Sequence, residues 1–507
     1  MQAPDVLILG AGAAGIRAAM TSCALGASVT VIDRVPPGSG GASFSNPNAW
    51  GIQALCGKER TPEAMRAFHE EILDAGLGCC DARLAQILVE ESGPRLEDLL
   101  HYGVRFKRDE TGRPIRAKGC FSSIPRAFLA ESTDNLREAF GSVVRKLSSR
   151  MVHAIPVELI LRDGRCCGCW ILGTDGEILP VRARSTILCL GGGAGAFDPC
   201  LCPPNQFGEG LVMAEQAGAV LTNLEFIQFM LALKRDRAVH FLPVQALGQS
   251  KRLRNERGDE VLARFFRNAS QRDRAIEQRK SHYPFSCRDR SYRIDLAVAL
   301  KGRAGHPPIW APGPNGGDAT ATVCHAAHAL NGGLRIDENG ATTLPGLFAA
   351  GEAAAGPHGA DRLGGCMMTA TQVFGHRAGE AAARGARRLR SLPEPSGAPE
   401  VARYRSVRSP GEEIEDLIPR ARRQMMHHLG IIRDVGGLTS FREKARAHEK
   451  DLLEIGWSSP EDLPSFLQAR SLVRLGQMIG KHALERTASL GPHFRLKRMD
   501  ASRLPAV

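Results

Sequence analysis

The segment GEAAAGPHGADRLGGCMM (residues 351–368) places one histidine, one aspartate and one arginine among closely spaced glycines. Glycine loses more chain entropy on folding than any other residue, so such a loop is expected where the backbone approaches another group closely. A strand-like run, LPGLFAAGEAA, leads into the segment, and a helix-like run, MMTATQVFGHRAGEAAA, leads out of it. The pattern predicts a strand–loop–helix unit that contacts a bound molecule, with His358 and Arg362 beside it.

A second glycine-rich turn lies near the start of the chain, between a predicted strand (6–9) and a predicted helix (13–25). Gly10 permits the tight turn, Gly12 lets the backbone approach a pyrophosphate, and Gly15 lets the helix pack on the strand. The next strand, ASVTVID, ends in Asp33, which would accept hydrogen bonds from ribose hydroxyls. Because the helix N-terminus favours phosphate, these residues predict a dinucleotide-binding βαβ unit.

Two further strand-plus-glycine segments lie far along the chain, STILCLGGGAG (185–195) and LPGLFAAGE (344–352). An NAD site normally belongs to one contiguous fold, whereas segments from distant parts of a sequence indicate one elongated cofactor threaded through one domain. We therefore predict FAD. Residues 216–330 are predicted to form an inserted domain. Beyond the Pro/Ser/Gly-rich linker 391–400, the apolar residues recur with the period of an α-helix, which predicts helices there.

The chain has 507 residues, enough for about two to four domains, and its composition is that of a globular protein. The N-terminus lacks the basic region and cleavage site of a signal peptide, and no apolar run approaches ~18 residues. A cytoplasmic location is expected, with docking to a membrane partner left open. The net charge of +12 arises partly from clusters at 251–257, 420–423 and 495–498. These clusters lack interleaved aromatics, which favours attraction of small anions or an acidic partner over nucleic-acid binding.

The chain contains fourteen cysteines, and RCCGCW and CLC invite a metal-site interpretation. The first cluster lies in an apolar hairpin bounded by Asp-Gly turn signals, where Cys166, Cys167 and Cys169 can take the place of buried valines. No second CxxC follows at zinc spacing. We predict reduced, structural thiols and no metal.

These segments together resemble the flavoprotein family of fumarate reductase, succinate dehydrogenase and L-aspartate oxidase, over nearly the whole chain. GLFAAGE and HGADRLGGCMM are similar to the family's GLYAAGE and HGANRLGGNSL. RARRQMMHHLGIIRDVGGL and ALERTASLGPHFR resemble its C-terminal helical domain. The resemblance implies that Glu352 binds the FAD ribityl chain and that the N–H groups of Cys366–Met368 open a helix under the flavin pyrimidine.

The resemblance also implies the catalytic residues. Arg362 would bind a substrate carboxylate, for which a planar guanidinium is well suited. Arg288, in CRDRSYR, matches the family's PRDxxxRA arginine, which delivers the proton to carbon. His328 stands four residues before Gly332, as the substrate-holding histidine of HYTMGG does. His358 is expected to support the backbone rather than take part in the chemistry.

The chain departs from the family on one side of the substrate cage. Met230 stands where FHPTG has its histidine, and Pro243 and Val244 replace the threonine and glutamate of TEGxRGEGG. Leu247 replaces the relay arginine, so Arg288 needs another proton source, for which Asp289, His325 and water are the candidates.

Covalent attachment of the cofactor is not expected in this chain. Some family members carry FAD on the histidine of SHTxAAQGGI, and Phe44 occupies that position here. We therefore predict a non-covalent flavin.

The predicted fold is α/β: a Rossmann-like, glutathione-reductase-type FAD domain (1–215 and 331–390), an inserted α+β capping domain (216–330), a linker (391–400) and a C-terminal helical domain (401–507). The predicted activity is hydride transfer between flavin N5 and a carbon of a carboxylate substrate. The alternatives are an L-aspartate oxidase-like enzyme and an electron-transfer subunit that docks an iron–sulfur partner. The candidate cofactor-binding residues are Gly10, Gly12, Ala14, Gly15, Asp33, Arg34, Gly41, Ser43, Gly192, Gly193, Glu352, Cys366, Met367 and Met368.

Overall fold

The structure is a computed structural model. It describes residues 3–36, 41, 44, 51–147, 150–203, 206–236, 238–243, 246–248, 252–311, 320–389, 392, 394, 397–407 and 411–496. Ser43 and Val244, named above, lie outside these residues.

The described part of the chain contains helices in its first, middle and last thirds. The helices are α1 Ala13–Ala24, α2 Pro62–Gly76, α3 Ala82–His101, α4 Thr133–Lys146, α5 Glu209–Gln216, α6 Ala269–Arg279, α7 Tyr292–Arg303, α8 Cys366–Ala386, α9 Gly411–Leu429, α10 Val435–Ile455 and α11 Leu463–Glu485.

The strands form one large sheet and several smaller ones. They are β1 Val6–Leu9, β2 Val29–Asp33, β3 Gly51–Gln53, β4 Arg116–Ala117, β5 Ala127–Leu129, β6 Arg150–Arg162, β7 Arg165–Gly173, β8 Ile178–Arg182, β9 Ser185–Leu188, β10 Leu221–Thr222, β11 Ile227–Arg235, β12 Ala238–Phe241, β13 Leu253–Arg254, β14 Ile309–Trp310, β15 Ala321–Leu330, β16 Gly333–Arg335, β17 Leu347–Ala349, β18 Ala354–Ala355, β19 Ile432–Arg433 and β20 Phe494–Arg495.

The large sheet has seven strands in the order β17-β9-β1-β2-β6-β7-β8. The first five are parallel, and β1 and β9 are buried along their whole length, as expected for central strands covered on both faces. Strand β9 pairs with both β1 and β17, although the three come from distant parts of the chain. Their carboxyl ends share one sheet edge, so the three glycine-rich segments meet there.

The FAD-type α/β fold predicted above is confirmed, and further sheets and helices accompany the seven-stranded sheet. A five-stranded antiparallel sheet, in the order β12-β11-β15-β14-β13, packs with α6 and α7. The last third of the chain is mainly helical, and α11 is buried along most of its length. The domain limits given above remain predictions.

Helix α8 lies close against α1, which fixes where its N-terminus points. A Cβ added to Gly379 would lie 2.5 Å from the carbonyl oxygen of Ala18, and one added to Gly375 would lie 2.8 Å from that of Ala14. Glycine at both positions therefore allows the two helices to approach each other. None of the helices in the described ranges is long and apolar enough to cross a membrane.

Candidate functional site

The turn after β1 has a close-packed side and an open side. A Cβ on Gly10 would lie 2.4 Å from the carbonyl oxygen of Cys189, and one on Gly15 would lie 1.9 Å from that of Gly10. A Cβ on Gly12 would meet no atom of the described residues within 4 Å. The turn thus keeps free space at the N-terminus of α1, where the partial positive charge of the helix favours a pyrophosphate.

Asp33 ends β2 beside this turn, and Arg34 follows it. Asp33 Oδ2 accepts a hydrogen bond from the Ala11 N–H at 2.6 Å, and Oδ1 accepts one from the Val35 N–H at 3.1 Å. Arg34 forms an ion pair with Glu209 at 2.8 Å. In this arrangement Asp33 supports the turn itself, and its contact with a ribose remains a prediction.

The other predicted residues of the turn region lie close to it. A Cβ added to Gly41 would come within 3.8 Å of Gly12 Cα, so Gly41 lies over the turn. Ala14 is buried, and its Cβ is 2.9 Å from the position that a Cβ on Gly351 would take. The first and third glycine-rich segments are therefore in direct contact.

Glu352 lies where the second and third glycine-rich segments meet. Its Oε1 accepts a hydrogen bond from the Leu330 N–H at 2.9 Å, and it would be 2.3 Å from a Cβ on Gly192. Burial raises the pKa of the Glu352 carboxyl. Gly193 packs against Leu475 of α11, where a Cβ would come within 2.4 Å of the leucine side chain.

Helix α8 begins at Cys366, directly after Gly365, whose φ of 92° lies in the left-handed region that favours glycine. Burial raises the pKa of the Cys366 thiol to about 12, so it is neutral near pH 7. Met368 is buried and Met367 is half-buried.

Residues from two other segments, Gln53 and Cys120, form hydrogen bonds with Gly364 just before the N-terminus of α8. Gln53 Nε2 donates to the Gly364 carbonyl at 2.8 Å, and the Gly364 N–H donates to the Cys120 carbonyl at 3.0 Å. These two hydrogen bonds hold Gly364, two residues before the N-terminus of α8, which is predicted to face the flavin.

Arg362 is 8% exposed and donates from its Nη2 to Gln228 Oε1 at 2.7 Å. Its Nε is buried and has no hydrogen-bond partner among the described residues. Burial together with the nearby Arg362 lowers the pKa of His328 to about 4, so this imidazole is neutral at pH 7. Gln228 on β11 and His328 on β15 belong to neighbouring strands, which brings three polar side chains to one place.

More unpartnered polar atoms lie around the same loop. Within the described residues, His358 Nε2 and Asn331 Oδ1 are buried without a hydrogen bond. Leaving such groups unsatisfied is expensive, and sites that receive a ligand are where they are expected. His358, predicted to support the backbone, thus also offers a free ring nitrogen.

Arg288 is placed differently from the role predicted for it. Its guanidinium forms an ion pair with Asp74 at 2.8 Å and lies 5.1 Å from the ring centroid of Phe121. Its segment nevertheless runs beside β11, because the Phe285 N–H donates to the Phe229 carbonyl at 2.7 Å. Proton donation by Arg288 remains a prediction.

Two of the proton sources considered for Arg288 are already engaged. Against the opposing effect of burial, hydrogen bonds from His282 and Ser291 lower the pKa of Asp289 to about 2. His325 Nε2 lies 3.1 Å from Asp295 Oδ1, inside a buried network that also includes Arg279.

Asp361 is a candidate site residue that the sequence analysis missed, as are Gln228 and Asn331. It is 1% exposed, and its Oδ2 accepts a hydrogen bond from Ser286 Oγ at 2.6 Å. Its Oδ1 is buried and unpartnered within the described residues. Burial raises the pKa of this carboxyl to about 7, although Ser286 and Arg288 oppose the shift. The signal was present in the sequence, because HGADRLGG carries Asp361 where the family's HGANRLGG has asparagine.

Two replaced cage positions, Met230 and Leu247, and the replaced attachment position, Phe44, take ordinary packing roles. Leu247 is 1% exposed and belongs to the apolar cluster under the five-stranded sheet. Met230 is half-buried, and its backbone pairs with Pro284. Phe44 is fully buried, with its ring 5.3 Å from that of Phe140.

The cysteines of RCCGCW occupy a strand, as predicted. Cys166, Cys167 and Cys169 are buried in β7. Among the residues that the structure describes, no group of three or more metal-ligating side chains occurs.

The chain is similar to known flavoproteins over nearly its whole length. The model of the family described as FAD binding domain matches residues 5–368. One chain of the fumarate reductase (CoM/CoB) of Methanothermobacter marburgensis is 29% identical, over 97% of this chain and 94% of that protein. An L-aspartate oxidase from Caulobacter vibrioides is 29% identical, over 97% of this chain and 92% of that protein.

Solved structures share the fold. A quinol fumarate reductase of E. coli superposes with a TM-score of 0.81 at 19% identity, covering 98% of this chain and 91% of that one. The Mycobacterium smegmatis Sdh1 complex gives a TM-score of 0.78 at 23% identity, covering 97% of this chain and 88% of that one.

Proposed function

The chain belongs to the FAD-binding domain family and is an FAD-dependent oxidoreductase, and from this premise we propose that it transfers a hydride between the flavin and a carbon next to a carboxylate. The names of its relatives, fumarate reductase and L-aspartate oxidase, support this class of substrate.

The observation that carries the proposal is the state of Arg362. Its guanidinium is buried, Gln228 holds one edge of it at 2.7 Å, and its Nε has no partner within the described residues. The neighbouring His328 is neutral because its pKa is about 4, so this imidazole does not compete with the arginine as a second cation. A buried guanidinium with an unpartnered N–H group is well suited to bind a carboxylate, which can accept two hydrogen bonds from it.

Bound FAD supplies hydride chemistry, and the protein supplies orientation and electrostatics. Gln228 fixes the guanidinium plane of Arg362, and Arg362 fixes the substrate carboxylate. His328 offers a neutral imidazole to the same ligand. The open space at Gly12 and the N-terminus of α8 are the positions that would hold the pyrophosphate and the flavin ring.

We assign the proton-handling role to Asp361. A general acid works best when its pKa is near the working pH, and the pKa of Asp361 is about 7. Ser286 links Asp361 to the Arg288 segment, since Ser286 Oγ donates to Asp361 and accepts from the Arg288 N–H at 3.3 Å. Asp361 would therefore hold a proton beside the Arg288 segment.

The substrate is proposed to carry one carboxylate at Arg362 and an apolar or bulkier group elsewhere. Met230 and Pro243 replace the histidine and the threonine with which the family's cage binds a second carboxylate. Losing one charge-assisted hydrogen bond weakens binding by roughly 1.5–3 kcal/mol, about ten- to a hundred-fold.

The flavin is proposed to be non-covalent, since a buried Phe44 stands where the attachment histidine is expected. Acid precipitation should leave the flavin in the supernatant, and yellow protein in the pellet would contradict this.

The redox partner is a further part of the proposal. An iron–sulfur or other electron-transfer subunit, with peripheral membrane association through it, is supported by the net charge of +12 and by the likeness to a fold solved within a complex.

The test is anaerobic. The bound flavin is reduced chemically, and fumarate or an α,β-unsaturated monocarboxylate is added while the visible flavin band is followed. Faster reoxidation by the monocarboxylate supports the proposal, and a preference for fumarate would overturn the single-carboxylate assignment. Reduction of the oxidised flavin by L-aspartate would instead favour C–N oxidation.

A further inference from the structure

The segment between β9 and α5 carries two cysteines, Cys200 and Cys202, that the proposed hydride chemistry does not use. Both are half-buried. The Cys200 thiol donates a hydrogen bond to the Cys202 carbonyl oxygen, with its Sγ 3.4 Å from that oxygen, and each thiol shifts the pKa of the other. Two thiols separated by one residue and joined by this thiol–carbonyl contact are placed for reversible bond formation.

An arginine from the C-terminal domain approaches this pair. Arg422 on α9 has its Nη2 3.4 Å from Cys200 Sγ. The same guanidinium donates to the carbonyl oxygens of Gly195 at 2.8 Å and Phe197 at 2.9 Å, which fixes its position. A fixed cation beside a partly exposed thiol is the environment that produces a reactive thiolate.

The two sulfurs are chemically unequal. The hydrogen bond from Cys202 lowers the pKa of Cys200 to about 7 against the effect of burial, and Arg422 contributes to the same shift. The hydrogen bond to Cys200 and burial raise the pKa of Cys202. Cys200 is therefore the nucleophile of the pair and Cys202 the thiol that resolves it.

The backbone holds this segment beside the candidate active site. The Leu201 N–H donates to the Ala327 carbonyl at 2.7 Å, and the Ala327 N–H donates to the Pro199 carbonyl at 3.1 Å. Ala327 directly precedes His328 on β15. A chemical change at Cys200 is thus placed next to the residues that would hold the substrate.

We propose that Cys200 and Cys202, with Arg422, form a redox-active dithiol that exchanges electrons with low-molecular-weight disulfides. The Cys200 thiolate attacks one sulfur of the disulfide, forming a mixed disulfide and releasing the other half as a thiolate. Cys202, losing its proton to solvent, attacks Cys200 Sγ and releases the second half. The protein loses two electrons and gains one disulfide, and the small disulfide is reduced to two thiols.

The first test measures wild-type reactivity in the flavin-loaded protein. Iodoacetamide labelling at pH 7, followed by peptide mapping, should modify Cys200 roughly 50-fold faster than Cys56, because thiolate fraction rises and intrinsic nucleophilicity falls as a thiol pKa decreases. Cys56, whose pKa burial raises to about 11, is the internal reference. Equal rates at the two sites would overturn the proposal.

The second test follows the disulfide itself. Oxidised glutathione should convert the wild-type protein to a form with a Cys200–Cys202 bond, found by intact mass and mapping. Cys202→Ser should instead accumulate a glutathione adduct on Cys200, and Cys200→Ser should form neither product. Adducts at other cysteines only, or no disulfide, would refute the assignment.

Arg422 is tested by the pH dependence of Cys200 alkylation. Arg422→Gln should move the midpoint to higher pH, and Arg422→Lys should restore it in part. Arg420→Gln, an exposed residue on the same helix, is the matched control and should leave the midpoint unchanged. An unchanged midpoint in Arg422→Gln would remove Arg422 from the site.

Discussion

The Nη2 of Arg362 donates to Gln228 Oε1 at 2.7 Å across 134 residues of sequence, inside a site that excludes most of the solvent. The hydrogen bond fixes the orientation of the guanidinium, and the Nε is left without a partner within the described residues. Because this guanidinium is already oriented, it loses little further conformational entropy when it binds a carboxylate.

Replacing Arg362 should therefore remove substrate binding and leave the flavin bound. Arg362→Gln should lower kcat/KM for the carboxylate substrate by roughly a hundred-fold, because two charge-assisted hydrogen bonds are lost. Steady-state kinetics and the visible flavin spectrum measure the two properties separately. Arg182→Gln, which removes a peripheral ion pair with Glu394, is the control. An unchanged kcat/KM in Arg362→Gln would show that Arg362 does not bind the substrate carboxylate.

The Asp361 carboxyl should appear in the pH profile of substrate reduction. With a pKa of about 7 it is protonated below that pH, so turnover that needs its proton should fall as the pH rises above 7. The Asp361→Asn variant should turn over substrate more slowly, and its turnover should not fall as the pH rises above 7. Both are measured by kcat/KM from about pH 5.5 to 9. Asp273→Asn, on an exposed helix face, should keep the wild-type profile. If turnover by Asp361→Asn still falls above pH 7, the titrating group is a residue other than Asp361.

The buried network around Asp295 should contribute to stability rather than to catalysis. Against the effect of burial, Arg279 and His325 lower the pKa of Asp295 to about 2, so its contribution is present above the unfolded-state value near 4 and is lost as the pH falls toward 2. Asp295→Asn leaves Arg279 buried without a charge partner, and the free energy of unfolding should fall by about 3–5 kcal/mol at pH 7.

Urea unfolding of Asp295→Asn at pH 7 checks this value, again with Asp273→Asn as the control. A loss of less than about 1 kcal/mol, the range typical of exposed ion pairs, would show that the network does not stabilise the fold.

Gly12 should accept a side chain in the folded protein but not with FAD bound. A Cβ there meets no atom of the described residues within 4 Å, so Gly12→Val should fold and should occupy the space predicted for the pyrophosphate. The ratio of flavin to protein absorbance should fall to near zero while the circular dichroism stays that of the wild type. Gly302→Ala, at a position with the same open surroundings, should keep its flavin. A fully yellow Gly12→Val protein would contradict the nucleotide site.

Much of the cofactor side of the fold was predictable because the signals are local. The apolar run before Gly10, the helix period after it and the strand that ends at Asp33 all lie within one βαβ unit. Short-range backbone hydrogen bonds and hydrophobic periodicity decide such units, so the sequence alone determined them.

The substrate side depended on contacts between distant residues. No local pattern shows that Arg288 pairs with Asp74, or that Asp289 is already held by His282. The position of Asp361 was visible in the sequence, but its raised pKa results from burial by surrounding segments. A titration shift depends on desolvation and neighbouring charges, which exist only after packing.

The pairing of Cys200 with Arg422 illustrates the same division. The sequence determined two closely spaced cysteines, an ambiguous pattern that fits a metal ligand set, a buried core or a redox pair equally well. Folding brought a guanidinium from 222 residues away to 3.4 Å from one of the two sulfurs. Thiol reactivity depends on the local electrostatic environment. The sequence therefore determined which residues are present, and the tertiary structure decided their chemistry.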